Sequence, residues 1–85
     1  MEAFQDPEVT VIYGLDTCED TSRARARFDA AGHGYRYVRL DEETSVRDAL
    51  HALGLLATPV VVTPAGDVTV EPTDETLDRI IAATA

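Results

Sequence analysis

The chain of 85 residues has no lysine and no tryptophan, and its positive charge comes from seven arginines set against sixteen acidic residues. The formal net charge is −9. Binding to nucleic-acid phosphates or to an anionic membrane needs a cationic surface, so we expect neither as a partner. An acidic surface keeps a small domain soluble and can also steer charged partners.

Cysteine occurs once, at Cys18, and long apolar runs are missing. A single cysteine excludes an intramolecular disulfide and a cysteine-rich metal site, and leaves an inert buried thiol or an exposed nucleophile. No run approaches the ~20 apolar residues that cross a bilayer, and residues 1–7 lack the features of a signal peptide. We therefore expect a cytoplasmic monomer without a metal site, which can form a disulfide-linked dimer on oxidation.

Apolar periodicity predicts one domain over residues 9–85 after a flexible arm at residues 1–8. Strands rich in β-branched and aromatic residues are predicted at 9–13, 35–40, 59–63 and 68–70. Helical spacing predicts helices at 18–31, at 44–53 and from 72 onward. This order, with right-handed crossovers, predicts an α/β fold in which a four-stranded mixed sheet carries three helices.

Capping residues are expected at the ends of the predicted helices. Asp16 or Thr17 can cap the first helix, and Thr44 or Ser45 the second, which Gly54 ends. Thr17 also places a hydroxyl next to Cys18, so we count it with the candidate binding residues.

Two features of this pattern carry a resemblance: Cys18 at the turn from the first strand into the first helix, and Pro59 at the start of the third strand. With the element order, they make the sequence resemble the glutaredoxin family over about residues 9–81, which implies a thioredoxin-like fold. Residues 53–62 are most similar to the NrdH-redoxin branch. Residues 66–75 are more similar to mycoredoxins, which work with mycothiol.

The resemblance implies that Cys18 is a nucleophile that attacks mixed disulfides between proteins and a small thiol, with mycothiol or glutathione as co-substrate and no bound cofactor. It implies a cis bond at Thr58-Pro59, with the backbone of Thr58 binding the substrate; the alternative is a trans proline that starts an edge strand. Asp74 falls where relatives hold the carboxylate of the small thiol at a helix N-terminus, and its charge opposes such binding.

The chain departs from the family pattern in two places. Cys18-Glu19-Asp20-Thr21 replaces the usual Cys-x-x-Cys, which excludes a dithiol mechanism within the chain. Thr21 keeps the hydroxyl of monothiol members, and either bonds the sulfur or satisfies only the backbone. The Cys-Gly-Phe-Ser motif of iron–sulfur members is absent, so we expect no cluster. Residues 70–75 lack the Gly-Gly and Asp-Asp signature of glutathione users, which argues against glutathione recognition.

The acidic neighbours of Cys18 oppose its activation. A helix start stabilises a thiolate by ~0.3–1 kcal/mol, whereas a carboxylate ~7 Å away costs about 0.6 kcal/mol at a dielectric constant of ~80 and about 2.4 at ~20. Asp16, Glu19 and Asp20 are therefore expected to cancel the helix effect and keep the thiol pKa near its ordinary value of ~8.5. Tyr13, at the end of the first strand, either lines the thiol groove or packs in the core.

Two functions follow from these observations. The first is a monothiol thiol–disulfide oxidoreductase that acts through Cys18. The alternative is a redox-silent binding module that kept the fold and the groove, which the missing second cysteine and the acidic flank favour. The enzyme needs an exposed Cys18 sulfur and loses turnover in Cys18→Ser, whereas the module retains its partner in that variant.

Overall fold

The computed structural model describes residues 8–84. The strands are β1 (Thr10–Gly14), β2 (Tyr35–Arg39), β3 (Val60–Val62) and β4 (Val68–Val70). The helices are α1 (Glu19–Ala30), α2 (Thr44–Ala52) and α3 (Asp74–Thr84). The predicted element order and the α/β class are confirmed. Of the predicted N-terminal arm, only Glu8 lies within the described residues, where it is exposed.

The four strands form one sheet in the order β2-β1-β3-β4. β1 pairs with β2 in parallel and with β3 antiparallel, and β4 pairs antiparallel with β3. Tyr13 near the end of β1 therefore lies opposite Val60 at the start of β3, and Val60 lies opposite Val70 at the end of β4. This register brings three chain segments to one edge of the sheet: the loop after β1, the turn before β3 and the segment after β4.

The alternation of side chains along the strands divides the core into two layers. Val11 and Tyr13 of β1 pack on the side of α2, while Ile12 between them packs on the side of α1 and α3. The cluster on the α2 side consists of Val11, Tyr13, Leu40, Leu50, Val60 and Val62. The cluster on the other side consists of Ile12, Ala24, Phe28, Val61 and Leu77.

Two predicted apolar positions lie outside the elements to which they were assigned. Val9 precedes β1 and is 47% exposed, and Leu53 is the C-cap of α2 and is 60% exposed. Leu53 leaves the helix because Gly54 has a φ of +79°, a left-handed conformation that ends a helix at low cost when the residue is glycine. The predicted end of α2 at Gly54 is thus confirmed.

The predicted caps of the first two helices are wrong. The N-cap of α1 is Cys18 and that of α2 is Glu43, and neither makes a side-chain cap hydrogen bond. Asp16 does not cap α1 because its carboxylate accepts a hydrogen bond from a side chain of β2 instead. At α3, by contrast, the Thr73 hydroxyl accepts a hydrogen bond from the Thr76 N–H at 3.2 Å, which is N-cap geometry.

Glu71, directly after β4, has a φ of +48° and is the only non-glycine residue in the left-handed region among residues 8–84. Its N–H donates to the Pro59 carbonyl at 2.9 Å, so the sheet holds it in this conformation. A side chain costs roughly 1–2 kcal/mol in this region and glycine avoids most of that cost. We expect Glu71→Gly to raise the free energy of unfolding in urea by about 1 kcal/mol.

The matched control for this prediction is Glu75→Gly in the first turn of α3. It removes the same side chain from a right-handed helix and should lower the free energy of unfolding by about 1 kcal/mol. A loss of stability in both variants would contradict the cost assigned to the Glu71 conformation.

Candidate active site

Cys18 is the N-cap of α1 and a free thiol of intermediate exposure. The loop from β1 reaches it through a tight turn in which the Cys18 N–H donates to the Leu15 carbonyl at 3.0 Å. The Cys18 carbonyl then accepts from the Ser22 N–H at 3.1 Å and begins the helix. The sulfur therefore lies at the positive end of a helix, on a residue that is partly exposed.

The turn before β3 lies against this sulfur. The Thr58-Pro59 peptide bond is cis, as the resemblance implied, and Pro59 is buried. The Cys18 thiol donates to the Thr58 carbonyl with an Sγ–O distance of 3.7 Å. The resemblance implied that Thr58 and Pro59 lie near Cys18, as they do in the structure, while their contacts with a substrate stay a prediction.

Thr21 supports the site from inside the first turn of α1, where it is fully buried. Its hydroxyl accepts from the Leu15 N–H at 3.4 Å. Its backbone N–H and its hydroxyl also hydrogen-bond the Cys18 sulfur and help to lower the pKa of Cys18. The Thr21 hydroxyl therefore serves the loop backbone and the sulfur together, so it does not satisfy the backbone alone.

The sequence prediction missed Gly14, because it ended the first strand at residue 13. Gly14 is the last residue of β1 and pairs with Arg39 of β2. A Cβ atom on Gly14 would lie 2.5 Å from both Cγ2 and Oγ1 of Thr21. The strand can pass the buried threonine at this point only because residue 14 has no side chain.

The pKa of Cys18 is lowered from its ordinary value. The largest cause is a hydrogen bond from the Thr58 side chain, and the N–H groups of Thr21 and Asp20 and the Thr21 hydroxyl act in the same direction. Partial burial acts the other way, because it disfavours the charged thiolate. Hydrogen-bond donors around the sulfur thus outweigh its desolvation.

The sequence argument treated the acidic neighbours of Cys18 as free charges, whereas two of them have partners in the structure. Asp16 accepts a hydrogen bond from the Tyr37 hydroxyl at 2.8 Å and pairs with Arg39 at 3.5 Å and Arg25 at 3.8 Å. Asp20 pairs with Arg23 at 3.2 Å. Burial, followed by the hydrogen bond to Asp16, raises the pKa of Tyr37 to about 12. Asp16 and Asp20 therefore have partners that reduce their effect on the thiol.

The remaining predicted site residues lie in three different settings. Thr17 is exposed next to Cys18. Asp74, the first residue of α3, pairs with Arg23 at 3.3 Å, and Arg23 in turn pairs with Asp20 in the first turn of α1. Tyr13 is only 1% exposed and packs in the core on the α2 side, so its ring does not line the groove. Of the two alternatives for Tyr13, lining the thiol groove or packing in the core, its burial agrees with core packing.

A family model described as glutaredoxin matches residues 10–67. The chain belongs to the glutaredoxin family. Among solved structures, the glutaredoxin from Archaeoglobus fulgidus superposes with a TM-score of 0.73 at 21% sequence identity, over 93% of this chain and 91% of that one. NrdH-redoxin from Escherichia coli superposes with a TM-score of 0.76 at 18% identity, over 84% of this chain and 92% of that one. At these identities the likeness shows the fold. No curated protein sequence matches the chain significantly.

Glutaredoxins are thiol–disulfide oxidoreductases that use thiol co-substrates, and this glutaredoxin domain has one cysteine. Within residues 8–84 no helix is long and apolar enough to span a membrane. The same part of the chain contains no group of three or more His, Cys, Asp or Glu side chains placed to hold a metal ion.

Proposed function

We propose that the protein is a monothiol oxidoreductase that reduces mixed disulfides between proteins and a low-molecular-weight thiol through Cys18. The observation that carries the proposal is the setting of the sulfur: a partly exposed helix N-cap, 3.7 Å from the Thr58 carbonyl, with donors that lower the pKa of the thiol. An inert structural thiol is buried and has no such donors. A reducing compartment such as the cytoplasm suits a protein whose single cysteine must stay free.

The reaction has two exchange steps. The Cys18 thiolate attacks the small-thiol sulfur of the mixed disulfide, the S–S bond breaks, and its electron pair goes to the substrate protein's sulfur, which takes up a proton. Cys18 is left in a disulfide with the small thiol. A second small thiol, as its thiolate, attacks that disulfide, releases the symmetrical small disulfide and regenerates the Cys18 thiolate. The second thiol comes from solution because the chain has no other cysteine.

The residues around the sulfur have separate roles in these steps. The backbone of Thr58, held by buried Pro59, orients the incoming disulfide beside Sγ. Thr21 is a positioning residue that fixes the sulfur through its hydroxyl and N–H. Thr17, which is exposed in the loop directly before Cys18, contacts the bound small thiol. Because the donors are in place before the substrate arrives, the thiolate needs no rearrangement to react.

The test is reduction of a peptide disulfide-linked to a small thiol, followed by mass spectrometry of the protein. We expect the small thiol to appear on Cys18, and turnover to continue when free small thiol is added. Cys18→Ser should show neither the adduct nor turnover while keeping the circular-dichroism spectrum of the parent. Reduction no faster than that by a free thiol of the same thiolate fraction would contradict the proposal and favour the redox-silent binding module.

A further inference from the structure

We infer that Tyr37 on strand β2 is a positioning residue of the Cys18 site and acts by holding the Asp16 carboxylate, which lies in the loop before the sulfur. The inference rests on the proposed function and deepens it, because it names a residue that controls the reactivity of the same thiol. The sequence pattern gives Tyr37 only a place in the second strand. Its further role comes from contacts that the fold makes between β2, the loop and α1.

Asp16 lies close enough to Cys18 to affect the ionisation of the thiol. The Cys18 N–H donates to the Leu15 carbonyl at 3.0 Å, so Asp16 and Thr17 are the two central residues of a tight turn that ends at Cys18. The Cα atoms of Asp16 and Cys18 are two residues apart in the chain, which limits their separation to at most about 7.6 Å. A carboxylate in such a loop disfavours a thiolate unless other groups neutralise it.

Two side chains of β2 hold the Asp16 carboxylate by its two oxygens. The Tyr37 hydroxyl donates to Oδ1 at 2.8 Å, and Nε of Arg39 lies 3.5 Å from Oδ2. Tyr37 and Arg39 are two residues apart on the strand and therefore project from the same face of the sheet. Parallel pairing places Arg39 opposite Gly14, the last residue of β1, where the loop to Cys18 begins. The loop is thereby anchored to the neighbouring strand.

Arg25 of α1 fixes the ring of Tyr37 in turn. The centre of its guanidinium lies 3.9 Å from the ring centroid, which is a cation–π distance. Its Nε donates to the Tyr35 hydroxyl at 3.4 Å, and its Nη1 lies 3.8 Å from Oδ1 of Asp16. Burial, followed by the hydrogen bond to Asp16, raises the pKa of Tyr37 to about 12. The hydroxyl therefore stays protonated, and remains a donor, over the pH range in which the thiol titrates.

The Tyr37 hydroxyl is the closest of these three partners of Asp16, and the two arginines do not replace it. Arg39 also binds Asp41 at 2.8 Å and pairs with Glu42, so three carboxylates share its charge. The other arginine is the most distant of the three partners, at 3.8 Å. Without the hydroxyl, the Asp16 carboxylate keeps more of its negative charge beside the site and competes with the thiolate for the free N–H groups at the start of α1.

The remaining charged groups at this end of α1 are held independently of β2. Asp20 pairs with Arg23 at 3.2 Å, and Arg23 pairs with Asp74 at 3.3 Å. Glu19 is exposed to solvent. These residues lie on α1 and α3, so removing the tyrosine hydroxyl leaves their contacts in place. A change in the ionisation of the thiol is then attributable to Asp16.

The experiment measures the rate at which iodoacetamide alkylates Cys18 from about pH 5 to about pH 10, and takes as midpoint the pH at which the rate is half of its maximum. In Tyr37→Phe we expect the midpoint to rise by about 0.5 pH unit and the rate at neutral pH to fall by about threefold. The matched control is Tyr35→Phe on the same strand, whose hydroxyl accepts from Arg25 instead of donating to Asp16. The midpoint of this control should equal that of the parent.

Asp16→Asn tests the same charge without changing the tyrosine. Asparagine has the shape of aspartate but no charge, so the midpoint should fall below that of the parent by about 0.3 pH unit. In the Asp16→Asn background, Tyr37→Phe should no longer raise the midpoint, because the carboxylate that it releases is gone. A purely structural role of the hydroxyl would raise the midpoint by the same amount in both backgrounds.

Three results would each overturn the inference: an unchanged midpoint in Tyr37→Phe, an equal shift in both backgrounds, or a midpoint in Asp16→Asn at or above that of the parent. None of them bears on the proposed function, because alkylation needs no disulfide substrate. The proposed function fails on a different measurement, in which the parent protein is mixed with a mixed disulfide and no small-thiol adduct forms on Cys18.

Discussion

Gly14→Ala is expected to lower the free energy of unfolding by about 3 kcal/mol, which corresponds to a fall in melting temperature of roughly 12–24 °C for a domain of this size. The added Cβ would lie 2.5 Å from two side-chain atoms of Thr21, far inside van der Waals contact. Thr21 is fully buried and its hydroxyl accepts the Leu15 N–H, so it cannot turn away without cost. Strand β1 or the first turn of α1 must shift instead.

Two further variants separate this clash from a general effect of alanine. Gly34→Ala changes a glycine with no atom within 4 Å of the added Cβ and should leave stability within about 0.5 kcal/mol of the parent. Thr21→Ala removes both clashing atoms, so Gly14→Ala should cost much less in that background than in the parent. Chemical denaturation of the four proteins of this cycle gives the coupling energy. Additive effects of the two changes would contradict the close packing of Gly14 on Thr21.

The elements that carry Cys18 and Pro59 could be predicted from short-range signals, whereas the closeness of the two residues was expected from the resemblance to glutaredoxins. β-branched runs and helical spacing identify the elements, and the handedness of crossovers limits how they join. Once β1 and β3 are neighbours in antiparallel register, the residues after one and before the other must meet. The element order does not by itself give the pairing of β1 with β3, so before the structure the place of Pro59 beside Cys18 was an expectation from the family resemblance.

The side-chain partners could not be predicted, because they depend on register and on contacts between distant elements. Asp16 was expected to cap α1 or to repel the thiolate, yet Tyr37 and Arg39 of β2 hold its carboxylate. Their positions relative to Asp16 follow from the register of the parallel strands β1 and β2, which the element order does not fix. Gly14 was missed for the same reason, since its need for glycine comes from Thr21 seven residues later in the chain.

Thr58→Val is expected to slow alkylation of Cys18 by iodoacetamide at neutral pH by about tenfold, because a hydrogen bond to a charged group contributes ~1.5–3 kcal/mol. Thr58 acts on the sulfur in two opposite ways. Its side-chain hydrogen bond is the largest cause that lowers the pKa of Cys18, while its carbonyl accepts from the thiol and so favours the protonated form. Valine removes the first effect and keeps the second, so the pKa of Cys18 rises.

The direction of the pKa change determines the pH range in which the parent and Thr58→Val differ in alkylation rate. Raising the thiol pKa lowers the thiolate fraction at neutral pH, whereas above about pH 10 both thiols are ionised and the two rates should converge. A thiolate of higher pKa is also intrinsically more nucleophilic, which partly offsets its smaller thiolate fraction when rates are compared at a single pH. The decisive measurement is therefore the pH at which the alkylation rate reaches half of its maximum. Thr58→Ser keeps the hydroxyl and should therefore have the same midpoint as the parent. Thr44→Val makes the same replacement at an exposed threonine of α2 and should also leave the midpoint unchanged. A midpoint in Thr58→Val equal to that of the parent would mean that the donors on α1, Thr21 and Asp20, lower the pKa without Thr58.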